Sequence, residues 1–402
     1  MSEKAHWGVW TPHPSGARYT IGIEEEVMLL HPHDRSLAQQ IDRVLDALEP
    51  ELARHVTAET HKSALELATG VHETVGAAAA ELHALRSELE GELALLGLEV
   101  ASAGTHPFAV WHETVVSSGN RYQAVYGSMR ELARREPTFG LHVHVGVRDP
   151  EAAMRLTNAL RGHVPMLLAL SANSPFWQGR DSGLASARTP LFQAFPRVGI
   201  PRSFNSYKDY VSTVDLLLRC GAFPEPTFLW WDVRPQPRFG TVEVRIMDAQ
   251  TTVGETAALA ALVQSIARLE VEQGYMPPAQ LEAVEALDEN RFLAARDGVA
   301  AELIDVDSER RIPVEELLDP LLASCISHSR ALGCRRELEQ VRALAAEPGA
   351  ARQIEIARRS PERLPGLVCE LAARFSSPAG VTGARPNERF TPDPEPSAVP
   401  SA

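Results

Sequence analysis

Apolar and polar residues alternate along Tyr19–Leu30 (YTIGIEEEVMLL), a pattern that predicts an extended strand. Ile21 and Ile23 fall on one face, Glu24 and Glu26 on the other, and Glu25 turns away from that pair and reads as structural or exposed. Gly140–Val147 (GLHVHVGV) alternates as strongly, with Val143 and Val145 opposite His142 and His144. Thr241–Met247 (TVEVRIM) repeats the pattern with Glu243 and Arg245 on one face, and Val100–Thr105 reads as a further strand. His61–Thr69 (HKSALELAT) fits a strand too, although its Ala and Leu content leaves helix open. Elsewhere the apolar period changes to three and four. Gly76–Leu98 carries Leu82, Leu85, Leu89, Leu93 and Leu96 at that spacing, Pro150–Ser171 carries Leu156, Leu160, Leu167 and Leu170, and Glu255–Gln273 reads as a long helix. From there to about residue 375 the chain reads as helical with little obvious chemistry. Strands separated by helices of such different lengths predict an α+β fold, not a regular βαβ repeat.

Both ends break the pattern. Residues 1–18, with prolines and glycine near their end, are expected to form a flexible leader, and the Pro-, Ser- and Gly-rich residues 377–402 are expected to be a disordered tail. Between them no linker and no fixed-period repeat is visible, so residues 19–376 are expected to form a single domain whose part from about residue 255 is helical. Composition then excludes several classes. The chain has 402 residues, 44% hydrophobic and 23% charged, which is ordinary for a globular protein. Its formal net charge of −14 argues against nucleic acid as a partner, while local arginines and metal ions could still hold a triphosphate. No apolar run approaches the roughly 20 residues that span a bilayer, and the N-terminus lacks the features of a signal peptide, so a cytoplasmic location without a membrane partner is the default. Cys220, Cys325, Cys334 and Cys369 are spaced for neither a zinc site nor a disulfide framework and read as reduced thiols.

The chemistry lies in three same-face pairs. Glu24 and Glu26 form a carboxylate pair that is costly in an apolar strand unless a cation compensates it; hard oxygen ligands favour Mg²⁺ or Mn²⁺, and the plain alternative is a solvated strand face. His142 and His144 could bind metal or phosphate, or be ordinary polar side chains of a sheet; no HExxH motif supports a zinc protease. Glu243 could take a metal and Arg245 a phosphate, whose oxygens match the guanidinium fork, or the two could form a weak ion pair. Three such pairs facing one cavity would make a single metal–nucleotide site.

The segments GIEEE, LEL around Glu66, GTHPF, FGLHVHVG, NSPFWQGRDSG and WWDVRPQPRFGTVEVRIMD occur in one order that resembles the type 2 glutamate–cysteine ligase family, carboxylate–amine ligases of the glutamine synthetase-like superfamily. The likeness runs from about Tyr19 to about Glu270. It implies a curved, mainly antiparallel sheet backed by helices, a glutamine synthetase-like catalytic fold whose concave face holds metal ions, ATP and glutamate. By that resemblance Glu24, His142 and Glu243 share one divalent ion near the transferred phosphate, and Glu26 and Glu66 hold a second. Arg245 contacts the transferred phosphoryl group and His144 lies near the nucleotide phosphates. Glu59 and Glu73 flank Glu66 and could complete the second ion's shell, and SALELAT could instead be a helix with Glu66 exposed.

Arg188 and Arg197 lie where the family places substrate-facing arginines, so either could hold a substrate carboxylate or be a solvated loop residue. Trp230, Trp231 and Arg234 could shape the pocket rim, His106 could line the cavity or serve the core, and Cys220 reads as packing. The implied reaction activates the glutamate γ-carboxylate as an acyl phosphate, with ATP as co-substrate and Mg²⁺ (or Mn²⁺) as cofactor, and an amine then displaces phosphate. No nucleophilic side chain is needed, in keeping with the lack of a Ser/His/Asp or Cys/His arrangement. Cysteine is the default amine; the PTFG and SARTP segments beside the acceptor pocket leave other amines open. The expected partners are therefore small molecules, with a homodimer as the default assembly. A metal-dependent hydrolase and a catalytically silent nucleotide-binding paralogue stand as readings of other classes.

Overall fold

The structure is a computed structural model that describes residues 6–134 and 137–377. Its centre is a seven-stranded sheet: β1 (Ile21–Leu30), β2 (Val56–Ala58), β3 (Ala64–Ala68), β4 (Glu99–Ala101), β5 (Gly140–Gly146), β6 (Val233–Gln236) and β7 (Thr241–Asp248). The strand order is β6-β7-β5-β1-β3-β2, β4 pairs with the end of β1, and every pairing is antiparallel. This is the antiparallel α+β architecture that the resemblance implied. His61–Thr69 resolves as strand, because Ala64–Ala68 gains ladders on both sides, from β1 and from β2; tertiary pairing overrides its weak local preference.

One sheet face is apolar. Ile21, Ile23 and Val27 of β1, Leu65 and Leu67 of β3, Val143 and Val145 of β5 and Val242 and Val244 of β7 are all buried in one core. Three long helices cover it: α1 (Val75–Leu95), α3 (Pro150–Ser171) and α4 (Val253–Gln273), with α2 (Asn120–Met129) lying elsewhere. Their starts follow from local chemistry. Thr74 and Asp149 accept backbone N–H groups at the first turns of α1 and α3, Pro150 stands at the first position of α3, and Thr252 with Glu255 forms a reciprocal capping box on α4. After α4 come α5 (Val284–Asp297), α6 (Val314–Leu332) and shorter helices, interrupted by a hairpin of Glu302–Asp305 with Arg310–Pro313 that the helical expectation for this region missed.

Glu25 faces this core and is structural. Its carboxylate is buried with the Arg86 guanidinium of α1 (Oε2–Nε 2.8 Å) and accepts the Thr256 hydroxyl of α4 at 2.5 Å.

The N-terminal stretch departs from the expected leader. Trp10 donates its indole N–H to the Val147 carbonyl (2.8 Å), Trp7 and Trp10 pack edge-on against Tyr210 and Tyr207, and Thr11 N–H bonds the Pro237 carbonyl (2.9 Å). Its tryptophans supply the burial that a Pro- and Gly-containing segment would otherwise lack. Of the expected tail, Ser377 is the last described residue, and residues 378–402 lie outside the described residues. Among the described residues no helix is long and apolar enough to cross a membrane, and all four cysteines are free.

Candidate active site

The polar sheet face carries one continuous row of functional groups, and strand register explains it. Glu26 pairs across from Glu66, Glu24 from His142, Glu243 from His144 on one side and from Arg234 on the other. Residues directly opposite in an antiparallel ladder share a face, so five strands deliver their polar side chains to one floor. Above it lies a cavity of about 420 Å³, walled by Glu59 and His61 from the β2–β3 connection, Tyr122 and Met129 of α2, and by Arg188, Phe192 and Trp230. A bulge between Val244 and Met247 interrupts the β5–β7 ladder just where Arg245 enters the cavity.

Charge is unevenly matched along the floor. Glu243 accepts Arg234 Nε (2.7 Å) and Nη2 (3.3 Å), Gln236 Nε2 (2.7 Å) and Arg245 Nη1. Burial pushes its carboxyl up, but the two guanidinium groups outweigh that and hold it well below the carboxylate range. Glu24 is held down in the same way: burial opposes, and the His144 charge and the approach of His142 and His144 prevail. On the other side the balance reverses. Burial, then the charges of Glu24, Glu59 and Glu26, raise the Glu66 carboxyl well above its ordinary value, and burial plus the Glu26 charge push Glu59 up to about 7. More carboxylate converges here than the protein's own cations offset.

The donor set fits divalent metal. Ligand atoms of Glu24, Glu66 and His142 lie within 4.8 Å of one another, as do those of Glu24, His144 and Glu243. His142 and His144 are both buried; among the described residues His142 Nε2 has no hydrogen-bond partner, and His144 Nε2 faces the Glu24 carboxylate at 3.2 Å, an arrangement that a coordinated cation would satisfy. The Nδ1 atoms are placed by Glu24 (3.5 Å) and Arg245 (3.3 Å) for His142, and by the Thr241 hydroxyl (2.9 Å) for His144. Carboxylate-rich sites favour Mg²⁺ or Mn²⁺ over softer ions. The grouping differs from the one the resemblance implied: Glu24 belongs to both sets, His144 joins Glu243, and Glu26 stands 3.8 Å from His142 Nε2 outside either triad.

The candidate substrate arginines separate. Arg188 lines the cavity, with Nη1 and Nη2 anchored on the carbonyls of Ile246 (2.9 Å) and Arg245 (3.2 Å) and Nε unpartnered. Gly140 makes room for it, since a Cβ there would collide with the Arg188 guanidinium and crowd His142. Arg234 also lines the cavity, but all three of its nitrogens are engaged, by Glu243 and by the carbonyls of Thr227 and Leu229. Arg197 is not among the cavity-lining residues; its guanidinium lies over Trp230 (5.2 Å) and Phe223 (5.5 Å) and donates to the Phe228 carbonyl.

Other singled-out residues divide similarly. Glu59 and Trp230 line the cavity; Glu73, Trp231 and His106 do not. Trp231 packs on Phe204 and Tyr210, and buried His106 bonds the Arg35 carbonyl (2.8 Å) and accepts the Ala109 N–H. Burial lowers its imidazole to about 4, which suits a neutral core histidine. Sequence reading missed Tyr122, Arg121 and Phe239, all of which line the cavity. No same-face carboxylate or imidazole partner marks them in the sequence.

Residues 20–370 match the family model described as glutamate–cysteine ligase family 2. The chain belongs to glutamate–cysteine ligase family 2. It is thereby an enzyme of the ligase class. A Rubrobacter xylanophilus protein, provisionally named glutamate–cysteine ligase 2-1, is 40% identical over 347 residues, 86% of this chain and 92% of its own length. A Sorangium cellulosum protein, provisionally named glutamate–cysteine ligase 2, is 39% identical over 351 residues, again 92% of its length. Among solved structures, the Francisella tularensis glutamate–cysteine ligase in complex with AMP superposes with a TM-score of 0.67 at 13% identity, covering 92% of this chain and 90% of that one. A bifunctional glutathione synthetase from Pasteurella multocida gives 0.64 at 12% identity, covering 90% of this chain and 52% of that one. At such identity these two likenesses speak for the fold.

Proposed function

We propose that this family 2 ligase joins the γ-carboxylate of glutamate to an amine at the expense of ATP, with cysteine as the default acceptor. The observation that carries the reading is the row Glu66, Glu26, Glu24, His142, His144 and Glu243 across one sheet face, with Arg245 and Arg188 above it in one cavity. AMP in the Francisella relative supports a nucleotide.

A glutamate γ-carboxylate oxygen attacks the γ-phosphorus of ATP, the bond to the ADP oxygen breaks, and γ-glutamyl phosphate forms. The amine nitrogen then adds to the acyl carbon and loses a proton, and the C–O bond to phosphate breaks. Negative charge gathers at the transferred group in the first step, so its stabilisation needs a fixed positive array. Arg245 supplies part of that array, and Glu243 fixes its guanidinium. Arg188, which lines the cavity and is anchored on two carbonyls, is set to hold a substrate carboxylate. Arg234, its donors consumed, positions Glu243 instead. Mg²⁺ or Mn²⁺ held by Glu24, Glu66, His142, His144 and Glu243 would neutralise phosphate charge.

The test is ADP release with Mg²⁺, ATP and glutamate against a panel of amines that includes cysteine. Amine-dependent release is the expected result, and the acceptor is the amine that turns over best. No release with any amine would sink the ligase reading.

A second expectation concerns pH. Glu59 ordinarily titrates at 4.5 and reaches about 7 in the fold, and Glu66 is raised in the same sense. The folded chain thus holds these protons more tightly than the unfolded one. The Glu59 contribution to stability is fully present below 4.5 and is lost as pH rises through about 7, and that of Glu66 is lost in the same direction. A cation bound by ionised Glu66 also offsets the Glu59 charge beside it and reverses the loss. Mg²⁺ or Mn²⁺ should therefore raise the melting temperature by several degrees at pH 8 and by little at pH 5. An equal shift at both pH values would contradict the assigned ligands.

A further inference from the structure

The hairpin joining β6 to β7 turns through Pro237, Arg238, Phe239 and Gly240, closed by Phe239 N–H to the Gln236 carbonyl (3.1 Å) and Gly240 N–H to the Pro237 carbonyl (3.2 Å). Phe239 lines the active-site cavity and yet is 51% exposed. Its ring stands edge-on to the His144 imidazole, with centroids 6.1 Å apart and planes at 78°, and the Arg238 guanidinium lies 5.6 Å from its centroid.

The ring is exposed but its support is fixed. Thr11 N–H donates to the Pro237 carbonyl at 2.9 Å, so the N-terminal segment braces the turn. Gly240 has φ +62°, and a Cβ there would lie 2.5 Å from the Thr11 carbonyl oxygen and 2.6 Å from Pro12 Cα. Only glycine permits that close approach in that backbone conformation. A braced turn thus holds a large aromatic ring at the cavity rim, beside the histidine of the Glu24–His144–Glu243 group.

We propose that Phe239 is the platform on which the base of the nucleoside triphosphate stacks, an inference that rests on the ligase reading and on a triphosphate lying near His144. A flat π face at the rim suits a base whose phosphates reach inward to the charged floor. Stacking is indifferent to base identity, so the ring contributes affinity and little choice between bases.

The experiment is calorimetric titration of the full chain, in Mg²⁺, with a non-hydrolysable β,γ-imido analogue of ATP and separately with inorganic tripolyphosphate. Phe239→Ala should weaken the imido analogue about 5- to 100-fold, as expected for loss of one base–aromatic stack. It should leave tripolyphosphate binding unchanged, and Phe239→Tyr, which keeps the ring, should restore the analogue. Unchanged analogue binding by Phe239→Ala would overturn the proposal, as would equal weakening of both ligands, which would mean that the ring shapes the phosphate site. If the wild-type chain binds neither ligand, the nucleotide reading fails and the platform falls with it. Binding that is indifferent to Phe239 defeats the platform alone.

Discussion

Replacing Arg245 by methionine is expected to lower kcat about 10³-fold, the scale of losing a guanidinium that meets a transferring phosphoryl group. The fold should survive, because Glu243 keeps both Arg234 bonds and Gln236. The substitution also removes a positive charge that faces Glu26, Glu24, Glu59 and Glu66. Carboxylates relieved of a competing cation bind metal more tightly, so the Mg²⁺ concentration for half-maximal rate should fall or stay the same. A residue that merely kept the metal ligands in shape would move it upward. Arg245→Lys keeps the charge but loses the planar fork and should recover only part of the rate. Steady-state ADP release across a Mg²⁺ titration separates these outcomes. Loss of less than tenfold in kcat at saturating Mg²⁺, or a higher Mg²⁺ requirement with kcat intact, would remove Arg245 from the phosphoryl group.

The strands that carry this site were legible because alternation survives in a single sequence. Glu24 with Glu26, His142 with His144 and Glu243 with Arg245 each declare a shared face within one strand. Alternation cannot say which strand lies beside which. The pairing of Glu26 with Glu66 and of Glu243 with Arg234 is set by long-range register, so Arg234 was legible as a rim residue but not as the anchor of Glu243. Glu66 needed both neighbouring ladders to choose strand over helix. Arg188 and Arg197 looked alike in sequence, nine residues apart in one loop-like region. They part because one guanidinium meets the free carbonyls around the β7 bulge and the other meets the faces of Trp230 and Phe223. The cavity walls from α2 and the hairpin tip at Phe239 come from elements whose placement depends on packing alone. The N-terminal tryptophans belong with them: apolar residues in a Pro- and Gly-containing stretch gave no period, only a docking site found in three dimensions.

Arg86→Met is expected to destabilise the protein by about 3–5 kcal/mol, the usual consequence of stripping one partner from a buried ion pair. Arg86 and Glu25 are both wholly buried, and Glu25 belongs to the strand that presents Glu24 and Glu26 on its other face. Besides Glu25, the guanidinium donates to the carbonyls of Gln250 (2.9 Å), Thr251 (3.0 Å) and Phe375 (2.7 Å), and it lies 4.5 Å over the Phe375 ring. One side chain thus ties β1 to the start of α4 and to the end of the described chain. Adding Glu25→Gln to Arg86→Met removes the stranded charge while keeping a group that can accept the Thr256 hydroxyl. Part of the loss should return, but not all, because three buried carbonyls still lack this donor, at about 1–3 kcal/mol for each that finds no other partner. Equilibrium unfolding in urea of the single and double variants gives both values. A single-variant loss below about 1 kcal/mol would mean that water reaches Glu25 and the pair is not truly desolvated. If the double variant is as unstable as the single, the carbonyl bonds and not the ion pair carry the clamp, and Glu25 would owe its burial to the backbone geometry of its neighbours.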